Sequence, residues 1–188
     1  LRLWTKEEEL RMIPFDPPEI LMTDLAPLFL ELVNWGVNRD QIPEMKWLDP
    51  PPDAKLEQAE QLLKQLGALD SNGKITPHGK EIINLPLHPR TAHAVIQTEK
   101  LYRKGYTACL AAAILEERDP LSGMTCDLRE RISEVLNSGK PLAKRIRFAA
   151  DKNAQAAGIR NREVDPNLAG IILALAYPDR IACLRQGK

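Results

Sequence analysis

Between residues 140 and 163, Lys140, Lys144, Arg145, Arg147, Lys152, Arg160 and Arg162 stand against only two carboxylates, Asp151 and Glu163. Cations at this density suit one chemistry above others, the neutralisation of backbone phosphates without any reading of bases. Lys140, Lys144 and Arg147 fall at helical spacing, so they can project from one side of a helix. Lys140, Lys144, Arg145, Arg147, Lys152 and Arg160 are therefore the candidate nucleic-acid contacts. A solvated helix face would carry the same residue types, and composition leaves both readings open.

Other reactive residue types point to less. Gly73 to Gly79-Lys80 approaches a phosphate-binding loop but has one residue too many. Glu81 stands where Ser or Thr would bind magnesium, and Pro77 removes a backbone donor, so a nucleotide site is rejected. Gly79 instead suits a close approach of its helix to a neighbouring backbone. His88 and His93 lie five residues apart at a helix start with no carboxylate to complete a metal set, which favours packing or capping. Arg90 could meet a phosphate or an acidic neighbour, and the structural pairing is preferred. Trp4, Trp35 and Trp47 could stack on bases, but their apolar surroundings favour core or interdomain packing. Cys109, Cys126 and Cys183 are odd in number and widely spaced, which fits reduced packing cysteines better than disulfides or zinc.

The elements that must position these groups are mainly helical. Asp53 suits an N-cap, and Leu56, Ala59, Leu62, Leu63 and Leu66 share one helical face before Gly67 closes the helix. Residues 68–76 are two short strand candidates around Asn72-Gly73, the signal of a tight hairpin. Thr76-Pro77 opens another helix, with Ile82, Ile83 and Leu85 on its buried side, and Pro86 ends it. Upstream, Lys6 to Met12 reads as a short charged helix. Leu25, Leu28, Phe29, Leu32 and Val33 form a stripe with Asp24 as N-cap and Gly36 as terminator. Downstream, a helix from Ala92 through Glu99 is interrupted at Lys104-Gly105. Ala108 to Leu115 is apolar on every side and belongs in the middle of a bundle. Residues 127–136, 141–157 and 167–176 complete the helices.

At 188 residues and 44% hydrophobic content, the chain can bury one substantial core or two small ones. Its formal net charge is zero, which argues against a nucleic-acid coat protein. The sum hides a gradient: residues 1–60 hold six Lys and Arg against 13 Asp and Glu, while residues 121–188 hold twelve against seven. A polyanionic partner would meet the C-terminal half. Apolar runs are too short to cross a bilayer and no signal sequence opens the chain, so a cytoplasmic location with no membrane partner is expected.

Phe15-Asp16-Pro17-Pro18-Glu19-Ile20, Leu48-Asp49-Pro50-Pro51-Pro52, Leu66-Gly67-Ala68-Leu69, Thr76-Pro77-His78-Gly79 and Leu85-Pro86-Leu87-His88-Pro89-Arg90 resemble, in order and spacing, the helicase-associated region of DEAH-box helicases. Glu117-Arg118-Asp119-Pro120 and Leu175-Ala176-Tyr177-Pro178-Asp179-Arg180 look most like its bacterial HrpB-type branch. The resemblance implies a mainly α chain, a winged helix with a small β-hairpin followed by a helical bundle. Residues 1–13 would be the tail of a second RecA-like motor domain absent from this chain. Residues 14–87 would form the winged helix, and 88–188 a ratchet-like bundle open to truncation at Lys188.

The implied function is an accessory fragment of an ATP-dependent RNA or DNA helicase, packing on the motor domains and helping to hold a single strand. ATP and magnesium would belong to those motor domains, with no cofactor, ATPase or unwinding expected here, since no Gly-rich loop with Lys-Ser or Lys-Thr, Asp-Glu-Ala-His sequence or arginine-finger motif occurs. The acidic residues Glu57 and Glu60 make the winged helix a poor groove reader and favour a packing hub. The resemblance favours phosphate contact by the basic stretch; the competing reading is a protein-interaction scaffold with no nucleic-acid contact.

Overall fold

The computed structural model describes residues 3–12, 15–117 and 125–182. Short helix α1 (Lys6–Arg11) starts at a capping box in which Thr5 and Glu8 satisfy each other's backbone amides, and it buries no residue. Helix α2 (Ala26–Asn34) begins one residue later than its sequence suggests. Asp24 still caps it, accepting the Ala26 amide at 2.8 Å, but Leu25 takes the boundary position. In α3 (Asp53–Gln65) the difference is larger, because Pro52 occupies the cap and Asp53 is already helical. Freed from capping, the Asp53 carboxylate meets Arg39 at 2.9 Å.

The expected β-hairpin is not formed. Among the described residues there is no strand, only a single antiparallel bridge between Leu69 and Ile75. Asp70 explains why. Its side chain accepts the amides of Asn72 and Lys74 at 2.9 Å each, and its carbonyl accepts from Gly73. These bonds fold residues 70–73 into a turn in which Gly73 alone takes a left-handed φ, +76°. Asn72-Gly73 is thus no two-residue hairpin turn, and side-chain bonds replace the ladder that would have lengthened the strands. Met45 to Leu48 form an irregular link, in which the Trp47 indole donates to the Ile42 carbonyl at 2.6 Å.

Helix α4 (Pro77–Ile83) opens with Thr76 accepting the Gly79 amide at 2.9 Å, as Thr-Pro predicts. Helix α5 (Pro89–Tyr102) ends where Arg103 turns left-handed, and α6 (Gly105–Glu116) follows after Lys104. Residues 105–114 are all buried, as an all-round apolar helix requires, whereas Leu115 at the end of the apolar run is exposed. Around α6 pack α5, α7 (Leu128–Asn137), α8 (Pro141–Ala156) and α9 (Ala169–Ala176), while α2, α3 and α4 join through α4 against α5. One buried cluster runs from Leu25 to Ala176. No described helix is long and apolar enough to cross a membrane.

At the α4–α5 contact, His78 Nε2 and His93 Nδ1 lie 2.8 Å apart with the rings edge to face. Glu81 and Lys100 flank the pair, bonded to each other at 2.5 Å. Burial, and then the proximity of His78, pushes His93 down to about 4; burial also lowers His78. Both imidazoles are therefore neutral in the fold, while the unfolded chain takes up protons near pH 6.5. Stability is complete above that pH and falls as pH drops from 6.5 toward 4. Melting temperatures at pH 7.5 and 5.0 should differ accordingly, and His93→Gln should flatten the difference. Equal pH sensitivity in that variant would place the titrating groups elsewhere.

Candidate nucleic-acid interface

Helix α8 presents two faces. Ala143, Ile146, Ala150, Asn153 and Ala154 are buried, at the spacing of one stripe. The opposite face carries the predicted cations, and the structure sorts them into free and engaged. Lys144 and Arg160 are exposed and have no ion-pair partner among the described residues. Lys152 is exposed with its ammonium 4.7 Å above the Phe148 ring. Lys140 sits at the helix cap, 3.8 Å from Glu134, too long for a strong pair. Arg145 is bidentate to Glu117, with N–O distances of 3.0 and 2.7 Å.

Arg147 departs most from expectation. Rather than standing out with Lys140 and Lys144, it turns under the end of α7 and donates to the carbonyls of Val135 and Ser138. A cation there satisfies carbonyls that the helix end leaves without partners. Arg162, the remaining cation of the stretch, lies 4.8 Å over the Tyr106 ring and 3.8 Å from Asp151. The Tyr106 hydroxyl donates to Asp151 at 3.0 Å; burial, reinforced by this bond, pushes its pKa up to about 12. The carboxylate on the basic face is thus already engaged. What remains open to a ligand is Lys144 and Lys152 on the outer face of α8, with Arg160 exposed beyond the end of the helix.

Sequence reading missed Phe148. Its side chain is 60% exposed, between Lys144 and Lys152 at four-residue steps. The Lys-x3-Phe-x3-Lys spacing was the available signal. The tryptophans divide differently: Trp47 packs against the core, whereas Trp35 is 72% exposed and Trp4 is also exposed.

A second cluster is structural. His88 caps α5 by accepting the Arg90 amide at 3.2 Å, and its other nitrogen lies 3.4 Å from Asp24. The hydrogen bond to His88, with help from the Ala26 amide, holds the Asp24 carboxyl at about 2. Arg90 itself makes a bidentate pair with Asp179, at 2.5 and 3.0 Å, and donates to the Ala176 carbonyl at 3.3 Å. Arg90 is therefore committed to the C-terminal turn. Among the cysteines, Cys109 is buried, with its thiol pushed up to about 12 by that burial, and Cys126 is exposed. Cys183, and residues 118–120 of the Glu117 motif, lie outside the described residues. No cluster of three metal-ligating side chains occurs among the described residues.

Residues 59–87 match the family model described as helicase associated domain (HA2), winged-helix. Over 188 residues the chain is 34% identical to the ATP-dependent RNA helicase HrpB of Escherichia coli, covering all of this chain and 22% of that protein. Crystal structures of HrpB from the same organism superpose with TM-scores of 0.71 and 0.75, at 30% and 32% identity over 97% and 94% of this chain. The chain matches the helicase-associated region of DEAH-box helicases, HrpB type, over its whole length. A more distant relative, the probable ATP-dependent RNA helicase DHR2 of Saccharomyces cerevisiae, is 28% identical over 74% of this chain and 19% of its own length. This helicase-associated chain spans about a fifth of the length of the curated relatives it matches. Its matching winged-helix segment covers α4 and most of α3, with the Asp70 turn between them.

Proposed function

We propose that this chain is the accessory C-terminal part of an ATP-dependent RNA or DNA helicase, packing on the motor domains of a longer chain and holding a single strand along α8. The observation that carries the second part is the open trio Lys144, Lys152 and Arg160, which lacks carboxylate partners among the described residues. On this reading 14–87 is the winged helix, 88–188 the ratchet-like bundle and 1–13 the end of a motor domain, with ATP and magnesium bound by the motor domains outside this chain. The relatives' names, ATP-dependent RNA helicases, support it. The exposed Trp35 and the fully solvated Leu48, 98% exposed, support a protein-facing surface as well, and alone they would fit a scaffold without nucleic acid.

Titrating a labelled single strand at low and high salt separates these. Changing Lys144, Lys152 and Arg160 to Ala should weaken binding and flatten the salt dependence by about 0.7 in log–log slope for each phosphate no longer neutralised. Arg147 is left intact because its removal would unsettle the end of α7. Unchanged affinity in the triple variant would remove α8 as the strand surface and leave the scaffold reading.

A further inference from the structure

We propose that Phe148 is a stacking platform for an unpaired base of a single strand lying along the outer face of α8. The proposal rests on the reading of that face as a strand interface and adds a second kind of contact to it. Phe148 contributes little to the core, since α8 buries the opposite stripe through Ala143, Ile146 and Ala150. An exposed phenyl ring there costs solvation, and the ring remains 60% exposed with the Lys152 ammonium over it. Its neighbours one helical turn away on either side are Lys144 and Lys152. Those two lie about 12 Å apart along the axis with the ring midway, leaving room for a phosphate at each end and a base between.

The chemistry of the patch selects its occupant. Lys152 already holds its ammonium 4.7 Å from the ring centroid, so the ring is flanked by positive charge. Asp151, the acidic residue beside this patch, is turned to Tyr106 and Arg162. A polyanion with planar rings satisfies both features. Every base has a π-face, so stacking here would be indifferent to sequence.

Binding of the chain to a labelled single-stranded oligonucleotide, and to an abasic strand of equal length, tests this. Phe148→Ala should weaken binding of the normal strand by about tenfold, with the salt slope unchanged and abasic binding unaffected; Phe148→Trp should restore affinity. The side chain is exposed, so melting curves of these variants should match the parent. Unchanged binding by Phe148→Ala, alongside weakened binding by the triple cation variant, would overturn stacking while the phosphate face stands. Equal weakening on the abasic strand would also overturn it. If the parent chain binds neither strand, the strand interface and the platform fall together.

Discussion

Gly79→Ala is expected to destabilise the chain by about 3 kcal/mol, although alanine is the better helix former by about 1 kcal/mol. A Cβ at Gly79 would lie 2.2 Å from the Ala68 carbonyl oxygen and 2.8 Å from Ile75 Cγ1. Backbone cannot swing aside as a side-chain end can. That carbonyl is further fixed by accepting from the Thr76 amide at 3.0 Å and the Thr76 hydroxyl at 3.2 Å. Thr76 in turn caps α4 through the Gly79 amide, so one methyl group would push apart the cap, the bridge region and the first turn of α4 together. Two controls isolate the effect. Gly139 has open space around a future Cβ and an ordinary φ, so Gly139→Ala should be near neutral. Gly67 has a left-handed φ of +68° with its nearest atom 4.0 Å away, so Gly67→Ala should cost about 1 kcal/mol from backbone strain alone. Urea midpoints should be lowest for the Gly79 variant, intermediate for Gly67 and highest for Gly139. A Gly79 variant as stable as the Gly139 variant would show that Ala68 and α4 can separate without cost.

The close approach at Gly79 was legible because glycine in the first turn of a Thr-Pro-capped helix has few other reasons to be there. Helix periodicity was legible for the same kind of reason: α3 buries the face its apolar spacing selects, and α6 is buried all round up to Ile114. Strand pairing was not. The alternation around Asn72-Gly73 fits a hairpin, but the outcome depended on Asp70, whose carboxylate bonds two amides of the turn and leaves only one bridge. Local side-chain bonds that compete with a ladder have no period and so leave no pattern to count.

At the candidate interface, charge density was legible and charge availability was not. Arg147 and Lys144 are alike in sequence, yet one caps α7 and the other is open to solvent. The difference lies in where the end of α7 falls against α8, a tertiary fact. Phe148 was overlooked for the converse reason, since an aromatic residue inside a helical pattern is ordinarily read as core.

Arg90 and Asp179 carry the other large expectation, and here two motifs recognised separately turn out to be one contact. Leu85 to Arg90 and Tyr177 to Arg180 are 89 residues apart at the paired positions, yet Arg90 grips Asp179 with both nitrogens and also takes the carbonyl of Ala176, the last residue of α9. Its guanidinium lies 5.2 Å from the Tyr177 ring centroid, and its side chain is only 10% exposed. Asp179→Ala would leave that buried cation without its carboxylate. The expected destabilisation is about 2–3 kcal/mol, toward the low side for a broken buried pair because Asp179 is partly solvated. Arg90→Met should cost a similar amount through the orphaned end of α9. If the two act as one unit, the double variant Arg90→Met with Asp179→Leu should be destabilised clearly less than the sum of the two single variants. The Arg90 hydrogen bond also lowers the Asp179 carboxyl below its ordinary value. That contribution is therefore present above about pH 4 and disappears as pH falls through the lowered value, below the window in which the histidines act. Strict additivity in the cycle would mean that Arg90 stabilises α9 without Asp179, and that the two motifs meet without depending on each other.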